Sequence, residues 1–163
     1  MESRTLPMTK PSVLAAIIAR LELELEALLR GAKASFAAAT DPDSKAENKY
    51  DTRTLEASYV ARGQAQRVAE LQEARHSFAA LQAAASHTTG SVRLGSLVVL
   101  DAGGQADHYF IGPAEGGMEV IVEGTEVLVI TPASPLGSKL MNGTSGTSIT
   151  LPSGARAVIR VLA

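Results

Sequence analysis

Four carboxylates, Asp41, Asp43, Glu47 and Asp51, fall within residues 39–51, with Pro42, Lys45, Lys49 and Arg53 among or beside them. Carboxylates crowded at one turn repel one another unless a cation or a partner neutralises them. The chemistry open to this stretch is therefore cation binding or docking to a positively charged or metal-bearing partner. Asp43 and Glu47 are four residues apart, which on a helix is one face. Ser44 and Glu47 also have the spacing of a capping box, so Glu47 can be read as a helix cap. Asp41-Pro42-Asp43-Ser44 is turn chemistry, because proline presets φ and the Asp and Ser side chains bond nearby backbone. A plain solvated loop between helices is the competing reading.

The flanking residues predict two long helices. Ser12 is the expected N-cap of the first, with Pro11 before it. Leu14, Leu21 and Leu28 form one heptad column, and Ile18, Leu25, Ala32 and Ala39 the other. Ile17, Leu23 and Leu29 widen that stripe. About 28 residues at 1.5 Å each give a rod of roughly 40 Å. The second helix is expected over about 47–82, with its seam on Leu55, Tyr59, Ala61, Ala65, Val68, Leu71, Phe78 and Leu81. Toward the tip both narrow to small residues, and close packing would explain Gly31 and Gly63, each costly by about 1 kcal/mol inside a helix. Two helices of similar length joined by one short turn predict a self-packed antiparallel hairpin, and hence a monomer, with half of a four-helix bundle or a dimer seam as the competing reading. Lysine and arginine number 11 in residues 1–82, as do aspartate and glutamate, so the acidic tip is a local feature of a neutral rod.

Residues 83–91 lose the heptad and read as a linker. After Val92 the period becomes that of strands. Strands are expected at 97–100, 107–111, 118–122, 126–131, 147–151 and 155–161, with turns at Gly103-Gly104, Glu123-Gly124 and Pro152-Ser153-Gly154. Ser134 is the expected N-cap of one short helix, and Pro135 its first residue. The predicted fold is α+β: an N-terminal helical hairpin, residues 1–85, then an antiparallel β domain with one short helix, residues 86–163. No self-sufficient active site is visible in the β half. The glycine pairs do not open a helix followed by Lys and Ser/Thr, so no phosphate loop is present. The three histidines are not at metal-ligand spacing, and Ser134 has no histidine nearby in sequence.

Residues 130–154 carry a recognisable pattern. Ile130-Thr131-Pro132-Ala133-Ser134-Pro135-Leu136-Gly137, then Leu140-Met141, Gly146 and Leu151-Pro152-Ser153-Gly154, resembles the C-terminal signature of the bacterial Gre transcript-cleavage and elongation factors. Asn142-Gly143 and Gly146-Thr147 stand where that family usually has Gly-Lys and Gly-Asp. The tip is similar to the family's Gly-Asp-Leu-x-Glu-Asn-x-x-Tyr, with the Asp43-to-Tyr50 spacing kept, Glu47-Asn48 one residue late and Pro42 in place of glycine.

The resemblance implies an FKBP-like C-terminal domain that docks on the rim of the RNA polymerase secondary channel, with Ser134 and Pro135 among its contacts. It implies that the hairpin enters the channel. Asp43 and Glu47 would then help place Mg²⁺ and a water at the polymerase active site, so that backtracked RNA is cut. Asp41, Asn48, Tyr50 and Asp51 would be accessory, Tyr50 near the RNA 3′ end, and DNA would be met only indirectly. Mg²⁺ keeps most of its waters and needs only about one or two protein carboxylates, so a factor adding carboxylates alone can complete such a site. The Mg²⁺ would be shared in the polymerase, with none held stably by the free chain, which would not itself be an enzyme. A Gre homologue that binds the channel without stimulating cleavage is the alternative, and the altered tip motivates it.

Composition narrows the rest. A net charge of −2 over 163 residues excludes a polycation that coats nucleic acid. Aromatics are 4% and tryptophan is absent, which argues against a base-stacking surface and against an aromatic-lined prolyl-isomerase pocket. The absence of cysteine excludes disulfides and thiolate metal sites and fits a cytoplasmic protein. No membrane span or signal peptide is expected.

Overall fold

A computed structural model describes residues 8–40, 52–84 and 90–163. The order of elements is α1 (Lys10–Thr40), α2 (Thr52–Ala83), β1 (Leu97–Ala102), β2 (Gln105–Ile111), β3 (Glu119–Val122), β4 (Thr125–Ile130), α3 (Pro135–Leu140), β5 (Ser148–Thr150) and β6 (Arg156–Val161). The chain divides into two compact units, Met1–Ala19 with His76–Ala163, and Arg20–Arg75.

In the Arg20–Arg75 unit, Leu21, Leu71 and Ala74 are buried, and Leu25, Leu28 and Val68 are half-buried. Arg75 reaches Glu22 at 3.1 Å, and Arg67 reaches Glu24 at 2.9 Å. These pairs and the buried positions run in opposite directions along the two helices, which is the antiparallel arrangement expected. The ion pairs are partly exposed and contribute about 0–1 kcal/mol each. The seam differs from the expected one on α2. Ala61 and Ala65 are exposed, whereas Gln64 is half-buried, with its Oε1 buried and unpartnered among the described residues. Stepping back seven residues from Phe78 and Leu71 arrives at Gln64, so the heptad phase puts a polar residue on the inner face. Leu23 and Leu29, expected to widen the stripe, are 63% and 47% exposed. Leu23 stands roughly 200° around the helix from Leu21. A Cβ on Gly31 or Gly63 would meet no atom within 4 Å, so close packing does not explain either glycine.

The first helix starts earlier than expected. Thr9 is the cap, not Ser12: Ser12 N–H donates to Thr9 Oγ1 at 3.2 Å, and Thr9 N–H donates to Ser12 Oγ at 3.0 Å. This is a reciprocal capping box with serine in the place usually taken by glutamate. Pro11 therefore lies in the first turn, where its missing N–H is harmless.

The other unit is built on a six-stranded sheet of order β3-β4-β2-β1-β6-β5. All neighbours are antiparallel except β2 and β4, which are parallel, so the sheet is mixed rather than wholly antiparallel. After β2 the chain runs through residues 112–118 to the sheet edge, lays down β3, and turns back at Glu123-Gly124 so that β4 lies beside β2. Two hairpins have two-residue turns with positive φ at both positions, Gly103-Gly104 at 60° and 88°, and Glu123-Gly124 at 49° and 76°. Such turns match the twist of the strands they join.

Alternation sorts the side chains onto two faces. One face presents Val98, Leu100, Ile111, Ile130, Ala157 and Ile159, which form a core with Val92 and the α3 residue Leu140. The other face buries Leu97, Val99, Phe110, Val120, Val122, Val127 and Val129. Phe110 meets Phe78 at a centroid distance of 6.2 Å. Gly112 permits this approach, since a Cβ there would lie 2.8 Å from Val129 Cγ1 and 2.9 Å from Phe78 Cζ.

Candidate functional site

Ser134 and Pro135 lie where the sequence reading puts them, at the start of α3. The Ser134 hydroxyl donates to the Thr131 carbonyl at 2.7 Å and accepts from the Gly137 N–H at 3.0 Å. Ser134 N–H also donates to the Thr131 carbonyl, at 3.1 Å. Ser134 is thus the N-cap, with extended backbone (φ −65°, ψ 156°), and Pro135 is the first helical residue. Pro135 is exposed, Leu136 packs against the core, and Leu140 is fully buried.

Gly137 is required by contact. A Cβ there would overlap the Thr131 carbonyl and sit 2.7 Å from Ser134 Oγ. The roles of Thr131 and Gly137 were not read from the sequence, although a glycine three residues after a capping serine was available as a signal. The turn ends at Asn142, whose φ of 65° is the left-handed conformation that asparagine tolerates best after glycine. Asn142 N–H donates to the Val92 carbonyl at 3.0 Å, and Val92 N–H to the Gly143 carbonyl at 2.8 Å. These bonds lock the segment after α3 onto the start of the β domain. The segment is a turn held at both ends by hydrogen bonds, with proline on its surface.

The acidic tip, with Asp41, Asp43, Glu47, Asn48, Tyr50 and Asp51, lies outside the described residues, as does His87. Among the described residues no group of three or more His, Cys, Asp or Glu side chains could hold a metal ion. No helix among them is long and apolar enough to cross a membrane.

A second polar feature lies on the sheet face that carries α3, near the β3 edge. Asp107, Tyr109, Glu119 and Glu126 line an open concavity of about 500 Å³. Glu126 has its carboxyl pushed up because the Glu119 side chain hydrogen-bonds to it and repels its charge, with Asp107 adding to the effect. Burial raises the Tyr109 phenol, and Asp107 raises it further. The sequence did not single out these acids, because they come from three strands.

The chain is thus an α+β protein in which paired helices precede a mixed sheet and a capped Ser-Pro turn. It is similar to the crystal structure of GreA factor homolog 1 (Gfh1) of Thermus thermophilus. That match has 22% identity over 90% of this chain and 92% of the other, with a TM-score of 0.33. The crystal structure of Thermus aquaticus Gfh1 matches at 23% identity over 89% and 91%, with a TM-score of 0.34. A structure described as that of the transcription factor Gfh1 matches at 23% identity over 91% and 92%, also at 0.34. No family model and no curated protein matches.

Proposed function

We propose that this chain is a Gre-type factor that binds bacterial RNA polymerase, places its helical hairpin in the secondary channel, and stimulates cleavage of backtracked RNA by the polymerase. The observation that carries this reading is the Ser134-Pro135-Leu136-Gly137 turn. Its four residues match the Gre signature, and each has a distinct task here: cap, first helical residue, core anchor, and close approach to the Thr131 carbonyl. The exposed Pro135 surface docks on the channel rim. The hairpin, with helices of 31 and 32 residues, carries the tip toward the polymerase centre. There Asp43 and Glu47 add carboxylate oxygens beside the magnesium that the polymerase holds, and Tyr50 lies near the RNA 3′ end. The chain alone has no nuclease activity.

The test is a transcript-cleavage assay on stalled elongation complexes. Asp43→Asn and Glu47→Gln keep shape and remove charge. Each should cut cleavage sharply and leave polymerase binding nearly intact, and raised Mg²⁺ should partly restore the rate. Asp41→Asn and Asp51→Asn should matter less. The late Glu47-Asn48 and the Pro42 substitution favour a second reading, a channel-binding regulator that does not stimulate cleavage. Binding with no RNA shortening at saturating factor would establish that reading over the first.

A further inference from the structure

The charges of the β domain are segregated along the chain. Residues 101–126 contain Asp101, Asp107, Glu115, Glu119, Glu123 and Glu126 and no lysine or arginine; residues 127–163 contain Lys139, Arg156 and Arg160 and no carboxylate side chain. The strand order places Asp107, Glu119 and Glu126 in the half of the sheet formed by β3, β4 and β2, and Arg156 and Arg160, with Asp101, in the half formed by β1, β6 and β5. On β6, Ala157 and Ile159 point into the core, and the alternate residues Arg156, Val158 and Arg160, with Leu162 just beyond the strand, are all exposed. Val158 and Leu162 are 40% and 43% exposed. The one carboxylate beside this strip by register is Asp101, opposite Val158, and its Oδ1 accepts from the Gly104 N–H at 3.2 Å.

We propose that the outward face of β6 docks an acidic segment of a partner protein, extended, with carboxylates and apolar side chains taking turns along one of its faces. The charge complement of Arg156 and Arg160 is anionic. The two arginines are four residues apart on one strand, about 13 Å. An extended segment with acids at the same interval meets both. Val158 and Leu162 decide between kinds of anion, because an apolar side chain between two arginines gains from burial only against apolar atoms. Between its phosphates a nucleic-acid backbone offers only an oxygen-bearing sugar. Within the sheet, β6 is followed by the three-residue β5 alone, and among the described residues the strip is exposed. This inference is independent of the polymerase reading.

The experiment uses the full chain and a fluorescein-labelled synthetic peptide, Gly-Glu-Ser-Val-Ser-Glu-Ser-Leu-Gly, whose glutamates and apolar residues share one face when extended, with fluorescence anisotropy at two ionic strengths. Binding should weaken as salt is raised, since exposed charges are screened beyond about 10 Å at 0.1 M. Arg156→Glu with Arg160→Glu should weaken it about tenfold or more. Val158→Thr should weaken it without changing the salt dependence. All three sites are exposed, so far-UV circular dichroism should be unchanged. Arg156→Gln with Arg160→Gln, which adds no repulsion, should give an intermediate loss. Three results would overturn the proposal. One is an absence of peptide binding. Another is equal or tighter binding of a single-stranded oligonucleotide. The third is salt-sensitive self-association, seen by sedimentation and removed by the arginine reversals, which would make a second copy the occupant through its Glu119, Ile121 and Glu123.

Discussion

Ser134→Ala and Pro135→Ala together separate what the turn does for the fold from the docking role proposed for it. The substitution removes one hydrogen bond to the Gly137 N–H and one to the Thr131 carbonyl. The Thr131 carbonyl keeps the Ser134 N–H as a donor, so only the Gly137 N–H is orphaned. Loss of a serine N-cap costs about 1 kcal/mol, within a range of roughly 0.5–2. For a domain of about 100 residues that is a drop of about 4–8 °C in the thermal midpoint. Pro135→Ala should cost at most about 0.5 kcal/mol, because the residue is exposed and alanine is a good helix former. The assay is thermal unfolding followed by circular dichroism, paired with titration of polymerase by the same variants. Ser134→Ala should lower the midpoint, and Pro135→Ala should lower polymerase affinity with little change in midpoint. A Ser134→Ala midpoint within 1 °C of the parent would refute the capping argument. Unchanged affinity of Pro135→Ala would move docking elsewhere.

Gly31→Ala and Gly63→Ala should each stabilise the helical unit by about 1 kcal/mol, because the added methyl meets open space and alanine gives up less backbone entropy; urea unfolding would measure it, and destabilisation would mean the methyl collides. Gly137→Ala should be severely destabilising, by several kcal/mol or about enough to prevent α3 from forming, through overlap with the Thr131 carbonyl; a native-like melt would contradict that geometry. Glu123→Gly should raise stability by about 1 kcal/mol, since a β-hairpin turn at φ 49° disfavours glutamate; the thermal midpoint decides. Glu126→Gln should raise the midpoint at neutral pH. A raised carboxyl pKa means that the folded chain holds this proton more tightly than the unfolded chain. The repulsion therefore costs stability above the raised value; the cost is lost as pH falls through that value and is absent below the ordinary carboxylate range. Parent and variant should converge in acid, and a difference that grows there would reverse the sign of the argument.

Local chemistry made much of this protein legible in its sequence. The change from heptad to alternating period placed two helices before a run of strands, because burial on one face imposes a period of 3.6 or 2 whatever the neighbour is. Gly103-Gly104 and Glu123-Gly124 marked their hairpins, and Ser134-Pro135 marked the start of α3, because turns and caps are settled within a few residues. What lies against each face is not a local property. The pairing of β2 with β4 depends on where the chain crosses the sheet edge, and no periodicity records that. The phase of the α2 seam was misread because small alanines at 61 and 65 look apolar, whereas the helix geometry that buries Leu71 and Phe78 carries Gln64 inward. Likewise Gly137 reads as an ordinary helix glycine until the Thr131 carbonyl is seen against it. The acidic and basic residues were present in the sequence, but only the strand order set Glu119 and Glu126 toward one edge of the sheet and Arg156 and Arg160 toward the other. Charges far apart in the chain become one surface only when the fold brings their strands together.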